Sequence, residues 1–353
     1  MRIAYFAHVS GGSRSGVFQK IAAQVDHWRT RGHIVRGFIA TRDDPDPWRS
    51  SLGDCTVGQY ASPSSRMRVM VNLVRAMRSY DPNVAYLRWD LFYPPMVWFP
   101  EQAALVLEVN TDDLHEYALG SRTRSLYNTL TRDVMLTRAR ALVFVTSELS
   151  RCASFARYTG RHLVVTNGID LAAYPELPAV ERGPLRLAFV GSDREPWHGV
   201  DKLMTLAAMR PEWCFDVVGP RNESRTSPPN VRWHGSLERA DVLSVLAKAD
   251  VGVGTLALHR NVMTEACPLK VREYLAVGLP VLYAYIDSDM GSLGSWCLRI
   301  ANSESNIVDE IDRIDAFVRG CRGTRIPRSS VAHIDLRFKE QQRLALFDDL
   351  AGV

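Results

Sequence analysis

The chain has 353 residues, 46% of them hydrophobic and 23% charged, with a formal net charge of +4. That length suits about two domains, and that composition excludes a disordered or fibrous chain. Six scattered cysteines without a C-x-x-C pair exclude a disulfide framework or zinc ribbon and fit a reducing cytosol.

No uninterrupted apolar run approaches the roughly 18 residues that span a bilayer, and no secretory leader opens the chain. The Asn-x-Ser triplet at Asn222 therefore carries no glycan in this reading. Charge is nevertheless uneven: up to Asp170 the only lysine is Lys20, and arginines cluster at Arg66, Arg68, Arg75 and Arg78 and again from Arg122 to Arg140. With Met67, Met70, Val71, Val74 and Met77 interleaved, the first cluster reads either as a solvated helix face or as peripheral contact with an anionic membrane. Nucleic acid is excluded, because the net charge is small and no aromatic stacking platform interleaves the arginines.

In chain order, short apolar runs alternate with stretches of helical period. Strands are expected at Ile3 to Ala7, Ile34 to Ile39, Val84 to Leu87, Ala104 to Val109, Ala141 to Val145 and Leu163 to Thr166, with a helix from Val17 to Arg31. Runs apolar on successive residues suit a parallel sheet covered on both faces. A proline-rich polar stretch from Tyr174 to Pro184 reads as the linker, placing one domain at 1–177 and the next at 178–336. A second series then starts with Leu185 to Val190 and continues with Cys214 to Val218, Val231 to Trp233, Val251 to Val253 and Pro280 to Ala284. The tail, about 337–353, reads as an amphipathic helix returning to the first domain through Leu344, Leu346, Phe347 and Leu350. Two doubly wound Rossmann-like α/β domains follow, each binding ligands where its strands end.

The stretch Glu265-Ala266-Cys267-Pro268-Leu269-Lys270-Val271-Arg272-Glu273 carries the most chemistry. Pro268 suits the first helical position and Gly278 the position past the helix end. Free amides at Leu269, Lys270 and Val271, with the positive end of the helix dipole and the charge of Lys270, offer a diphosphate site that needs no metal. Glu273 lies about 7.5 Å along the helix from Pro268, the right scale to reach a ribose on the same ligand. Glu265 precedes the helix, where the hexose of a nucleotide sugar would lie.

This segment resembles the E-x7-E motif of the family-4 retaining glycosyltransferases, which have the GT-B fold. Gly11-Gly12-Ser13 through Gly16 resembles their first glycine loop, Arg31-Gly32-His33 the approach to their second strand, and Asn167-Gly168-Ile169-Asp170 the entry to their second domain. Phe189-Val190-Gly191, Val218-Gly219 and Trp233-His234-Gly235 follow at similar spacing, so the resemblance covers nearly the whole chain. It implies two Rossmann-like domains facing across a central cleft, the first binding acceptor and the second donor.

It further implies a hexose transfer from a UDP- or GDP-sugar to a saccharide or lipid-linked saccharide, in cell-envelope or other polysaccharide synthesis. No cofactor or metal is required in this reading. The enzyme would be cytoplasmic, at the inner face of the plasma membrane. Glu273 would bind ribose, Glu265 the sugar near its anomeric centre, and the amides of Cys267, Pro268, Leu269 and Lys270 the diphosphate region. Gly12, Gly16, Gly191, Gly219 and His234 complete the expected donor set.

Two departures from the family pattern stand out. Where relatives carry two cations after the Phe-Val-Gly strand, this chain has Ser192 and His198, leaving Arg194, a protonated His198 or Lys202 to supply charge. Where relatives place a histidine after the fifth strand, Asn110 stands here. Asp112 is then the candidate base, or else the N-cap of the following helix. Arg88, Asp113 and His115 are candidates for the acceptor. These departures keep open a pseudoenzyme that binds a nucleotide sugar without turnover, alongside a GT-B epimerase. Asp44-Pro45-Asp46 and Asp287-Ser288-Asp289 each spell D-x-D, a metal signature of another transferase fold that arises often by chance.

Overall fold

The computed structural model describes every residue except Ser10, Gly11, Ser13, Arg14, Asp193, Arg194, 221–226 and Val353. Two compact units emerge. One comprises Met1–Gly168 with Leu336–Val353, the other Ile169–Asp335.

The first unit holds a seven-stranded sheet: β1 (Arg2–Val9), β2 (Ile34–Thr41), β3 (Cys55–Gln59), β4 (Val84–Arg88), β5 (Ala104–Val109), β6 (Ala141–Phe144) and β7 (Arg161–Val164). Their order is β3-β2-β1-β4-β5-β6-β7 and every pairing is parallel. Strand order reverses between β1 and β4, the switch point at which doubly wound sheets open a crevice. The interior strands β1 and β5 are buried along almost their whole length, as the unbroken apolar runs required.

The helix Pro63–Tyr80 buries Met70, Leu73, Val74 and Met77 and exposes Arg68, Arg75 and Arg78. Most of its apolar stripe therefore belongs to the core, while Met67 in the first turns is exposed. The C-terminal helix Leu336–Ala351 packs in the first unit, where Leu344, Leu346 and Phe347 join Trp28 and Tyr86 in one cluster. Buried charges lock it: Arg343 lies 2.7 Å from Glu340 and 3.5 Å from Glu108, and the Trp28 indole donates to Glu340 at 2.8 Å.

The second unit holds β8 (Arg186–Val190), β9 (Cys214–Val218), β10 (Val231–Gly235), β11 (Val251–Val253), β12 (Val281–Tyr283) and β13 (Cys297–Arg299). The order β10-β9-β8-β11-β12-β13, again all parallel, is the Rossmann order 3-2-1-4-5-6 counted from β8. The chain enters this unit at Ile169, not at 178. The stretch expected as linker is tied down there, Ile169 donating to the Ile334 carbonyl at 3.0 Å and Leu177 to that of Val277 at 3.3 Å. Just before the crossing, Gly168 has no room for a side chain, since a Cβ would lie 2.8 Å from Leu336 Cα.

Candidate functional site

In the second unit β8, β9 and β10 end in glycine. The Gly191 amide donates to the Val218 carbonyl at 3.0 Å, and that of Gly219 to Gly235 at 2.7 Å. Gly219 adopts φ +100°, and a Cβ there would lie 1.7 Å from the Gly191 carbonyl oxygen. No other residue fits. The strand ends thus present backbone alone to anything that binds above them.

The helix Leu269–Ala276 follows the loop carrying Glu265. Pro268 is its N-cap, with extended ψ of 136°, one position before the first helical residue where the sequence placed it. The Val271 amide is taken by the Pro268 carbonyl at 3.2 Å. The expected trio of free amides therefore narrows to Leu269 and Lys270, which meet no acceptor among the described residues.

Lys270 Nζ lies 4.1 Å from the centroid of the Phe189 ring. It is sealed from solvent and has no hydrogen-bond acceptor among the described residues. Burial pushes the ammonium down to about 7, against the opposing charge of Glu195. A cation held this way on an aromatic face, with its donors unsatisfied, is a site prepared for an anion.

One turn along, Glu273 accepts from the Tyr174 hydroxyl at 3.3 Å. Arg239 stacks 4.4 Å from the Tyr174 ring and also counters the carboxylate. Burial nonetheless raises the Glu273 carboxyl above its ordinary range. Tyr274, on the opposite face, is fully buried and its hydroxyl accepts from the Val190 amide at 2.7 Å. That bond fixes the helix to the end of β8. Glu265 is half-buried in a short parallel bridge to Ile286.

Asp287 and Asp289 owe their spacing to a guanidinium. Fully buried Arg272 contacts both Asp287 oxygens and one of Asp289, each at 2.9 Å, and the Cys267 sulfur at 2.8 Å. Together with Cys267 they form a cluster of metal-ligating type, with Arg272 lodged among its carboxylates. The first D-x-D, at Asp44 and Asp46, forms a local turn ahead of a helix: Asp44 accepts from the Asp46 amide at 3.0 Å.

Several expected donor residues have other partners. His198 packs partly buried against Phe189, and desolvation together with the nearby Lys270 charge pushes its ring down to about 3. It is neutral at physiological pH, and its Nδ1, 3.2 Å from the Ser192 carbonyl, carries the hydrogen. His198 cannot replace the missing cation. Lys202 is held by the carbonyls of Ser303 and Glu304 at 2.9 and 2.5 Å and by the Glu304 carboxylate. His234 pairs with Asp216 at 2.7 Å, and Asp216 also binds Arg186. Ser192 is exposed, while Arg194 lies outside the described residues.

In the first unit the Gly12 amide donates to Asp43 at 2.9 Å, and Gly16 opens a helix capped by Ser15. The acceptor candidates do not converge. Asp113 is buried in a bidentate pair with Arg132, at 2.6 and 2.8 Å. Asp112 is the N-cap, accepting from the Leu114 amide at 3.2 Å and from Ser154 at 2.8 Å. Arg88 leans 3.5 Å from Glu108, Asn110 contacts the Glu108 carbonyl at 3.4 Å, and His115 buries Nε2 without a partner.

The first unit gathers a different set of side chains at its own switch point. His8, near the end of β1, places Nδ1 2.7 Å from Asp90, and its Nε2 meets the Tyr60 hydroxyl. Tyr93 and Tyr117 complete the group, at 3.1 Å from His8 and 2.5 Å from Asp90. A histidine just ahead of the glycine loop was the one available signal in the sequence.

No protein-family model and no curated protein matches the chain by sequence. Solved structures do match it. Sucrose-phosphate synthase from Thermosynechococcus elongatus superposes with a TM-score of 0.70 at 16% identity, over 98% of each chain. HepE of Anabaena, in complex with UDP and glucose, gives 0.65 at 16% identity over 99% of this chain and 100% of its own. The lipopolysaccharide outer core galactosyltransferase WaaB gives 0.65 at 13% identity over 99% and 100%. At these identities the likeness carries the fold: this chain has the GT-B fold, two doubly wound parallel-sheet units in succession.

Proposed function

We propose that the protein is a glycosyltransferase that draws a hexose from a nucleoside diphosphate sugar bound by the second unit. The observation that carries this is the ammonium of Lys270. It is buried, unsatisfied and placed in the first turn of a helix whose next turn presents Glu273. A diphosphate lying on the amides of Leu269 and Lys270 would satisfy Nζ, and about 6 Å further along the helix Glu273 would take the ribose hydroxyls. The glycine ends of β8 and β9 let the same ligand approach main chain.

Glu265, just before the helix, would face the hexose. Lys270 takes the part for which the sequence suggested His198, Lys202 or Arg194. The UDP held by HepE favours a uridine donor within the UDP or GDP pair. Retention of configuration, as in family 4, rests on the Glu265 to Glu273 motif.

A saccharide or lipid-linked acceptor in envelope polysaccharide synthesis fits the likeness to WaaB. A membrane contact draws support from the Arg122–Thr131 helix rather than from Pro63–Tyr80, since Leu126 and Leu130 are 61% and 72% exposed beside exposed Arg122. Nearby, Trp98 is 53% exposed in a segment that Arg138 ties down through the Met96 and Val97 carbonyls. No helix among the described residues is long and apolar enough to cross a membrane.

Thermal-shift titration with UDP, GDP, ADP and their sugar conjugates tests the proposal, because a ligand of the folded state raises its stability. One nucleotide family should stabilise the wild type and fail to stabilise Glu273→Ala. Silence from the whole panel on wild type would remove the donor site.

A further inference from the structure

The group around His8 belongs to the first unit, and its position calls for a role. His8 lies on β1 and Asp90 just beyond β4, the two strands between which the order of the sheet reverses. Tyr60 lies just beyond β3. All three therefore stand at the carboxyl ends of strands, at the place where a doubly wound sheet binds ligands.

The hydrogen bonds orient the imidazole. Asp90 is a carboxylate that also accepts from Tyr117 at 2.5 Å and faces Arg124 at 3.4 Å, so Nδ1 of His8 must carry the hydrogen that Asp90 receives at 2.7 Å. In the neutral imidazole Nε2 then has the lone pair and accepts from the Tyr60 hydroxyl. His8 thus presents one hydroxyl-accepting atom, held in orientation by a carboxylate behind it.

Two guanidinium groups stack on the tyrosines that touch His8. The guanidinium of Arg66 lies 5.7 Å from the Tyr60 ring and 5.0 Å from that of Tyr93, and that of Arg42 lies 5.6 Å from Tyr60. Neither arginine pairs with an acid among the described residues. Two cations stacked on tyrosine faces at the mouth of a histidine–carboxylate pair form a combined demand: a hydroxyl for Nε2 and an anionic group beside it.

We propose that the switch point of the first unit is a subsite for an acidic sugar, whose hydroxyl replaces that of Tyr60 on His8 while Arg42 and Arg66 hold its phosphate or carboxylate. Under the transferase reading, on which this assignment of role rests, the bound sugar is the acceptor. A hydroxyl donating to Nε2 keeps its oxygen lone pairs free for attack. Tyr60 is its stand-in when the subsite is empty.

The test uses full-length protein labelled with nitrogen-15 at histidine, the His8 signals being those lost in His8→Gln. Glucose 6-phosphate, glucuronate and glucose serve as probes. Hydrogen on Nδ1 and a saturable shift of Nε2 with either acidic sugar, at most weak with glucose, support the proposal; the stronger of the two acids tells phosphate from carboxylate. Arg66→Gln should weaken that binding by about tenfold, the value of one charge-assisted contact.

Tyr60→Phe should tighten it by removing the competitor. That gain is one a merely structural Tyr60 would not produce. Hydrogen on Nε2, no shift with any probe, or equal response to glucose and its phosphate would overturn it. Nucleotide thermal shifts on the same samples keep the two readings apart. A His8 response without nucleotide binding leaves the subsite and removes the transferase; nucleotide binding with His8 silent does the reverse.

Discussion

Each unit buries a lysine, and the two are held in opposite ways. In the first, Lys20 donates to Glu108 at 2.6 Å and to Asn167 at 2.7 Å, and burial, opposed by Glu108, leaves its ammonium at about 8. In the second, Lys270 lies on the Phe189 face with no hydrogen-bond acceptor among the described residues, and burial takes it down to about 7. A charge that folding has satisfied is architecture, whereas a charge that folding has left unsatisfied waits for something from outside.

The sharpest way to break the comparison is to remove each lysine. Lys20→Met takes from buried Glu108 its shortest ion pair, leaving Arg88 and Arg343 at 3.5 Å, and should cost about 3 kcal/mol of unfolding free energy, readable by urea titration. Lys270→Met strands nothing. Its unfolding free energy should hold or rise, while affinity for the stabilising nucleotide falls by one to two orders of magnitude, the value of about 1.5–3 kcal/mol for a charged hydrogen bond. If the two variants behave alike, the distinction is void.

Protonation sharpens it further. The folded-state value of Lys270, about 7, lies below the 10.5 of an unperturbed lysine. Between those limits the unfolded chain binds more protons, so stability should rise with pH across that window, and this component should vanish in Lys270→Met. A bound diphosphate restores the charge. Nucleotide binding near pH 8 should therefore take up close to one proton, measured by calorimetry in buffers of different ionisation enthalpy. The smallest effect belongs to His198→Gln, which exchanges one neutral side chain for another and should change nucleotide affinity by less than about threefold.

Local pattern made most of the scaffold readable. Interior strands announced themselves as apolar runs, and the end of the helix Leu269–Ala276 was marked by Gly278, which adopts φ +83°. The strands that escaped, β3 and β13, lie at sheet edges and are only partly buried, so no run or strict alternation marks them. The site was legible where one short segment carries it, as from Glu265 to Glu273. It was illegible where partners meet across long stretches of chain: Asp113 with Arg132, Lys202 with the carbonyls near Glu304, His8 with Asp90. Composition showed the charges there without showing which were already paired. His198 failed as a cation for the same reason, since its neutrality comes from Lys270 and the Phe189 ring rather than from any neighbour in sequence.

The return of the C-terminal helix sets an order on biosynthesis. Emerging from the ribosome, the first 168 residues hold Glu108 and Trp28 without Glu340 and Arg343, and their core lacks Phe347. The second unit is continuous in the chain and can close before the first. The part translated earliest is thus the part completed last, and a ribosome stalled before the final helix would present an open seam to chaperones and proteases beside a finished neighbour.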